Sequence, residues 1–270
     1  MNTSEIMELA LSLAEEEQVP PDSAIYHAGE GIKKILMGID MGVAELALAR
    51  ELGYDAVIAH HPQGAMGTFY KMIDEHVNQL QEAGVPGKEA EKAVKALREK
   101  YELRSHSINA EHVTSFARLL NMPFLNIHYP LDKIGRQRMM EAIEKHLPED
   151  GTVEDVVRAL ETLPEFHKAR TEIKVRMGEP GKPAGKVVVS HAAGTNGGYS
   201  VARSYFEHGT DTLIYIHVDY GDLDRLRQDY SNDKNFIVTG HIVSDLLGIN
   251  PFIAELEKRG LVVDRVSGLR

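Results

Sequence analysis

Two adjacent histidines, His60 and His61, lie between a short apolar run and Pro62, and their types and spacing are suited to metal binding. The run before them is rich in β-branched residues and follows Gly53, which predicts a short buried strand. Because proline has no N–H for the ladder, the strand must end there, and α/β sheets bind their ligands at such strand ends. Two imidazoles at this position would suit two neighbouring metal ions, one per ring. The alternative is a pair of surface histidines.

A second candidate pair lies near the end of the sequence. Residues 236–240 predict a strand ending in glycine, and a helix is predicted to begin at His241. Residues four apart share a helix face, so His241 and Asp245 would form an imidazole–carboxylate pair. Such a pair can bind Zn, Mn, Fe or Ni without a thiolate. The alternative is a histidine in the first helical turn beside a solvated aspartate.

The composition of the chain argues against several classes of partner and site. The chain has 270 residues, a formal net charge of −11, 43% hydrophobic residues and no cysteine. A chain this acidic is not expected to bind nucleic acid, because phosphate binding needs clustered Lys and Arg. The absence of cysteine excludes disulfides and thiolate metal sites and predicts a cytoplasmic protein. We expect no membrane partner, since no apolar stretch approaches the roughly 20 residues of a membrane span and the first residues do not resemble a signal peptide.

The order of predicted elements is β-α-β in both halves of the chain. This order predicts an α/β protein of two lobes, with mixed or mostly parallel sheets covered by helices. We predict an N-terminal α/β lobe over residues 1–130, a mainly helical connector over residues 131–185 and a C-terminal α/β lobe over residues 186–270. The last helix is predicted to pack back on the N-terminal lobe. Gly248 and Pro251 lie in the path of that helix, so it can break there.

Together these motifs resemble those of a known family. Asp40 ends one predicted strand, His60 and His61 end the next, and His241 with Asp245 follows near the C-terminus. This arrangement resembles the NIF-three-like family, the dinuclear-metal-centre proteins often labelled GTP cyclohydrolase type-two-like, loosely over most of the chain. The resemblance implies the NIF-three-like fold, two divalent metal ions per chain (Zn, Mn, Fe or Ni) and a closed homo-oligomer, which in that family is a toroidal homohexamer.

The resemblance also implies which residues bind the metals. In the family the ligands are the paired histidines, a mid-chain aspartate, and a C-terminal histidine and acid. The counterparts in this sequence are His60, His61, His241 and Asp245. Aspartate at position 245 is a departure, because the family usually has glutamate there.

The mid-chain aspartate is the second departure from the family. The family pattern is a histidine followed four residues later by aspartate, and His106 has no aspartate at that spacing. Asn109 is therefore the predicted counterpart, although it is a neutral and weaker ligand. His106 or His112 could supply nitrogen instead.

A dinuclear site of this kind predicts metal-assisted hydrolysis of a small molecule. The resemblance implies a nucleotide or related heterocycle as substrate, with cyclohydrolase or phosphoesterase chemistry. His112 and His217 are candidates for a general acid or base. The loop at residues 194–198 could cradle a phosphate, or could be only a tight turn before a helix. The alternative function is a non-catalytic metal-binding homo-oligomer with a regulatory or scaffold role.

Overall fold

The computed structural model describes residues 1–230 and 233–270, which form two sheets covered by helices, as predicted for an α/β protein. The helices are α1 (Thr3–Leu13), α2 (Val43–Glu51), α3 (Glu75–Glu82), α4 (Gly87–Ser105), α5 (His112–Leu119), α6 (Tyr129–His146), α7 (Val153–Glu161), α8 (Pro164–His167), α9 (Gly198–Glu207), α10 (Tyr220–Tyr230) and α11 (His241–Lys258). The strands are β1 (Ala24–His27), β2 (Lys34–Gly38), β3 (Ala56–Ala59), β4 (Phe124–Asn126), β5 (Lys174–Met177), β6 (Val187–Ser190), β7 (Thr212–Tyr215), β8 (Asn235–Val238) and β9 (Val262–Val266).

The chain divides into two compact units that are interleaved along the sequence. The first unit contains Met1–Met72, Tyr101–Ile134 and Gly248–Arg270, and the second contains Ile73–Lys100 and Gly135–Leu247. The three predicted segments are contiguous, whereas each unit is assembled from separate stretches. The end of the chain belongs to the first unit because β9 pairs in parallel with β2.

The sheet of the first unit has the strand order β1-β4-β3-β2-β9. All its pairs are parallel except that of β1 with β4, so an antiparallel strand lies at one edge. The predicted strand before the paired histidines is β3, whose four residues are all buried. Its Val57 packs in a core with Leu46 and Phe124, which are also fully buried. This burial on both faces explains why the strand sequence is continuously apolar.

The sheet of the second unit repeats this arrangement. Its order is β5-β8-β7-β6, in which β5 is antiparallel to β8 and the remaining pairs are parallel. In both sheets an antiparallel edge strand is followed by three parallel strands in reverse chain order. The strands β2, β3 and β4 therefore correspond to β6, β7 and β8.

The helix α11 does not break at Pro251, which lies inside it. A proline within a helix leaves the carbonyl four residues earlier without its usual N–H donor. That carbonyl belongs to Leu247, and it accepts a hydrogen bond from Nη1 of Arg138 at 2.6 Å. A guanidinium thus replaces the missing backbone donor, which the sequence pattern around Pro251 could not indicate.

Among residues 1–230 and 233–270, none of the helices combines the length and the apolar composition needed to cross a bilayer.

A buried histidine in the second unit makes stability dependent on pH. His76 is fully buried in α3, its Nε2 donates to the carbonyl of Thr195 at 3.1 Å, and burial lowers its pKa from 6.5 to about 4. Between these pH values the unfolded chain binds a proton that the folded chain does not, so the free energy of unfolding falls as the pH falls. We expect a loss of about 3 kcal/mol across this window from His76 alone.

The test compares urea unfolding of the wild-type protein and His76→Gln between pH 4 and 7, both in a chelator. Glutamine keeps an N–H donor for Thr195 and does not titrate, so the variant is expected to lose less stability at low pH. Identical pH slopes for the two proteins would contradict this prediction.

Candidate metal centre

Three histidines meet at the carboxyl end of the first sheet. His60 and His61 follow β3 directly, and His128 follows β4, the parallel neighbour of β3. The ring centroid of His60 lies 5.3 Å from that of His61 and 4.8 Å from that of His128. One nitrogen from each of the three rings lies within 4.8 Å of the other two, which is close enough to share a metal ion.

The Nδ1 atom of each ring faces an oxygen that can only accept a hydrogen bond. The contacts are His60 with the carbonyl of Ile127 at 3.0 Å, His61 with Oδ1 of Asp40 at 2.7 Å and His128 with Oδ2 of Asp22 at 2.7 Å. These contacts favour the tautomer in which Nδ1 carries the ring proton. In that tautomer a neutral imidazole has its lone pair on Nε2. Metal-binding histidines typically use this arrangement, in which an oxygen acceptor fixes the tautomer and the ring orientation.

Asp132 adds a buried carboxylate to this cluster. It lies in the first turn of α6, four residues after His128. Its Oδ1 is 3.2 Å from Nε2 of His60, and its Oδ2 is 3.5 Å from Nε2 of His128. Since Nδ1 of both rings already faces an acceptor, each ring lies between two oxygen acceptors. Two buried imidazolium ions or a bound cation would satisfy this arrangement, and a cation avoids the cost of burying two charged rings.

The donor set and its spacing fit a divalent metal ion. Ligand atoms at the usual distance from a tetrahedral Zn²⁺ lie about 3.3 Å from one another. The contacts of 3.2 and 3.5 Å between Asp132 and the two rings are of this size. Imidazole nitrogen and carboxylate oxygen suit Zn, Mn, Fe and Ni, so the cluster can hold a metal ion but does not select among these.

A hydrogen-bond network holds the segment after the paired histidines against β4. The hydroxyl of Tyr26 donates to Oδ1 of Asn126 and accepts from the backbone N–H groups of Gln63 at 3.1 Å and Ala65 at 3.0 Å. Asn126 in turn donates to the carbonyl of Asp22 at 2.7 Å. Burial raises the pKa of Tyr26, so its hydroxyl stays protonated and donates. The network therefore joins three segments that carry residues of the cluster: the segment at Asp22, the segment after His61 and the end of β4.

Asp22 orients His128 from a fully buried position, whereas the side chain of Asp40 is 70% exposed. We expect Asp22→Asn to lower metal affinity about 10–100-fold, because the amide no longer provides a charged acceptor for the ring. Titration against a competing chelator measures the change. Asp55→Asn is the control, since Asp55 also accepts backbone hydrogen bonds, from Lys33 and Lys34, but precedes β3 at its other end. Equal affinities of the wild type and Asp22→Asn would contradict the assigned role of Asp22.

The second unit carries a similar pair at a corresponding strand end. His241 begins α11 after β8, and its Nε2 lies 3.5 Å from Oδ2 of Asp245, one turn further on. Asp245 is buried, and the side chain of His241 is 39% exposed. His217 follows β7, and its ring centroid lies 4.8 Å from that of His241.

The three predicted mid-chain candidates lie around the loop between α4 and α5. Asn109 is exposed, and its Oδ1 accepts from the backbone N–H of Glu111 at 3.2 Å. The ring of His112 packs edge-on against Phe116. Within residues 1–230 and 233–270, the groups of side chains close enough to share a metal include neither His106 nor His112.

Three residues of the cluster, His128, Asp132 and Asp22, were not predicted from the sequence. A signal for the first two was present in the sequence, because His128 ends a short apolar stretch at residues 124–128 and is followed four residues later by an aspartate. This is the spacing of the His241 and Asp245 pair. No sequence pattern around Asp22 indicated its role, since that role depends on contact with His128, which is 106 residues away in sequence.

Two mostly parallel sheets covered by helices, with a buried histidine–aspartate cluster at the strand ends, define an α/β protein with a candidate metal centre. The chain is similar to a NIF3 superfamily protein from Sphaerobacter thermophilus whose crystal structure is known, with 47% sequence identity, a TM-score of 0.97 and coverage of 100% of this chain and 99% of that one. The chain therefore belongs to the NIF3 superfamily, the family that the sequence motifs resemble.

More distant structures share the fold. The reduced form of HcgD from Methanocaldococcus jannaschii has 14% identity and a TM-score of 0.60, over 98% of this chain and 97% of that one. A Bacillus cereus protein related to NIF3 has 10% identity and a TM-score of 0.52, over 98% and 96%. Neither a family model nor a curated protein matches the chain.

Proposed function

We propose that this protein is a divalent-metal-dependent hydrolase whose metal centre includes His60, His61, His128 and Asp132. The observation that supports this proposal is the placement of two buried rings, each between acceptor oxygens on both of its nitrogens. Asp132, rather than Asn109, is proposed as the mid-chain acid ligand, because it is a buried carboxylate in contact with two of the rings. His106 and His112 are then not needed as ligands.

His241 and Asp245 are proposed as further ligands, which gives two ions per chain. The support is their donor chemistry, the buried carboxylate of Asp245 and a spacing equal to that of His128 and Asp132. The family resemblance adds the expectation of a dinuclear centre. A homohexamer, a small-molecule substrate such as a nucleotide or related heterocycle, and a cytoplasmic location are part of the same proposal.

Residues of the chain orient the proposed metal ligands before any substrate binds. A divalent ion held there supplies Lewis-acid chemistry, which polarises a carbonyl or phosphoryl group and makes water a better nucleophile at neutral pH. Asp22 and Asp40 contact Nδ1 of His128 and His61 and so orient these rings for coordination through Nε2. The burial of Asp132 keeps bulk water from competing for its oxygens. His61 is partly exposed, so this side of the cluster is open to a ligand.

The test is a screen of nucleotides and phosphoesters with the protein loaded separately with Mn, Zn, Co or Ni. We expect turnover that is lost in the double variant His60→Ala, His128→Ala and retained in His112→Ala, a histidine outside the cluster. Metal binding without turnover for any of these substrates would contradict the hydrolase and favour the non-catalytic scaffold.

A further inference from the structure

Asn196 fixes which nitrogen of His217 carries the ring proton. The backbone N–H of Gly198 can only donate, and it donates to Oδ1 of Asn196 at 3.0 Å. The amide orientation is thereby set, and Nδ2 of Asn196 faces Nδ1 of His217 at 3.0 Å. Since Nδ2 can only donate, Nδ1 of His217 must accept. The ring proton of His217 is therefore on Nε2.

The corresponding histidine of the first unit has the opposite tautomer. His61 is the second residue after β3, as His217 is after the corresponding strand β7. A carboxylate, that of Asp40, contacts Nδ1 of His61, whereas an amide N–H, that of Asn196, contacts Nδ1 of His217. His61 thus offers a lone pair on Nε2, which suits a metal, and His217 offers an N–H, which suits an oxygen acceptor.

The location of His217 is compatible with ligand binding. Its side chain is half-buried, and its ring packs against His241 with a centroid distance of 4.8 Å and an angle of 42°. In the part of the chain that the structure describes, no group of potential metal ligands contains His217. It therefore lies beside a proposed ligand with a tautomer that disfavours coordination through Nε2.

We propose that His217 is a substrate-binding residue whose Nε2–H donates to a phosphoryl oxygen, and that Asn196 is the residue that positions it. A phosphoryl oxygen accepts and does not donate, so it matches this tautomer and would not match that of His61. In a chain of net charge −11, an anionic group also needs donors close to its binding site. The proposal rests on the proposed function, since it places the phosphoryl group beside the ligand His241.

The first test measures the tautomer directly, on the metal-free protein. Long-range proton–nitrogen NMR spectra should show His217 protonated on Nε2 and His61 protonated on Nδ1. Asn196→Asp, which replaces a donor by an acceptor, should move the proton of His217 to Nδ1, and Asn196→Ala should leave a mixture. A wild-type His217 protonated on Nδ1 would overturn the proposal whether or not the protein binds metal.

The second test measures binding of inorganic phosphate to the metal-loaded protein by calorimetry. We expect His217→Ala to weaken binding about tenfold or more, as for a hydrogen bond to a charged group, and His217→Gln to restore part of it through its amide N–H. His208→Ala is the matched control, because His208 is a half-buried histidine of the same unit that hydrogen-bonds the carbonyl of Ser204. Metal content should be unchanged in all three variants.

The outcomes distinguish a failure of the phosphoryl-site proposal from a failure of the proposed metal centre. No phosphate binding by the wild type, equal affinity in His217→Ala, or tighter binding of acetate than of phosphate would each overturn the phosphoryl site while the metal content still supports the centre. Loss of metal in His217→Ala would show that His217 is a ligand and overturn the proposal. A wild-type protein that binds no metal would overturn the proposed function, and the tautomer would still decide the role of Asn196.

Discussion

Asp132→Asn is expected to weaken metal binding more than about 100-fold, beyond the effect of changes to residues that only orient a ligand. Asparagine keeps the shape of the side chain but removes the charge that lies between Nε2 of His60 and Nε2 of His128. The affinity is measured by titration against a competing chelator, and circular dichroism checks that the variant is folded.

Asn109→Ala is the matched control for this experiment. Asn109 was the ligand that the family pattern predicted, but its side chain is exposed and accepts a hydrogen bond from the backbone N–H of Glu111. We expect this variant to bind metal as the wild type does. Retained affinity in Asp132→Asn together with a loss in Asn109→Ala would reverse the assignment of the mid-chain ligand.

Gly248→Ala is expected to lower the free energy of unfolding by about 3 kcal/mol, at the upper end of the usual cost of overpacking. A Cβ atom at Gly248 would lie 1.7 Å from the carbonyl oxygen of Leu131, and backbone atoms cannot yield as a flexible side chain can. Leu131 precedes Asp132, so the close approach of these two helices also fixes the position of the proposed acid ligand. We therefore expect weaker metal binding in the same variant.

Urea unfolding measures the change in stability. Gly221→Ala is the control, since Gly221 also lies in a helix, α10, and its Cβ would meet nothing within 4 Å. That variant is expected to be as stable as the wild type or slightly more stable, because alanine has the better helix propensity. Equal stability of Gly248→Ala and Gly221→Ala would contradict the role assigned to the close approach.

The sequence predicted the elements whose signals are local. The strand before His60 has an apolar run and a terminating proline, and the helix from His241 follows a glycine, so the end of the strand and the beginning of the helix were predicted close to their observed positions. Local signals could not predict that β4 would lie beside β3, because about 60 residues of chain separate these strands. That strand order brings His128 to His60.

The same limit explains two differences between sequence and structure. The mid-chain acid was assigned to the segment around His106, although His128 and Asp132 have the required spacing, and the contact of His128 with His60 is what distinguishes the two segments. The helix α11 continues through Pro251 because a side chain 109 residues from Leu247 in sequence satisfies its carbonyl. In each case the deciding contact joins segments that are distant along the chain.

The central claim, that His60, His128 and Asp132 hold a metal ion, is tested most directly by elemental analysis of the protein purified without added metal. We expect close to two ions per chain in the wild type, at least one fewer in the double variant His60→Ala, His128→Ala, and the wild-type content in His112→Ala. A wild type without metal that also takes up no Zn, Mn, Fe or Ni on dialysis, or a double variant with undiminished metal, would contradict the claim.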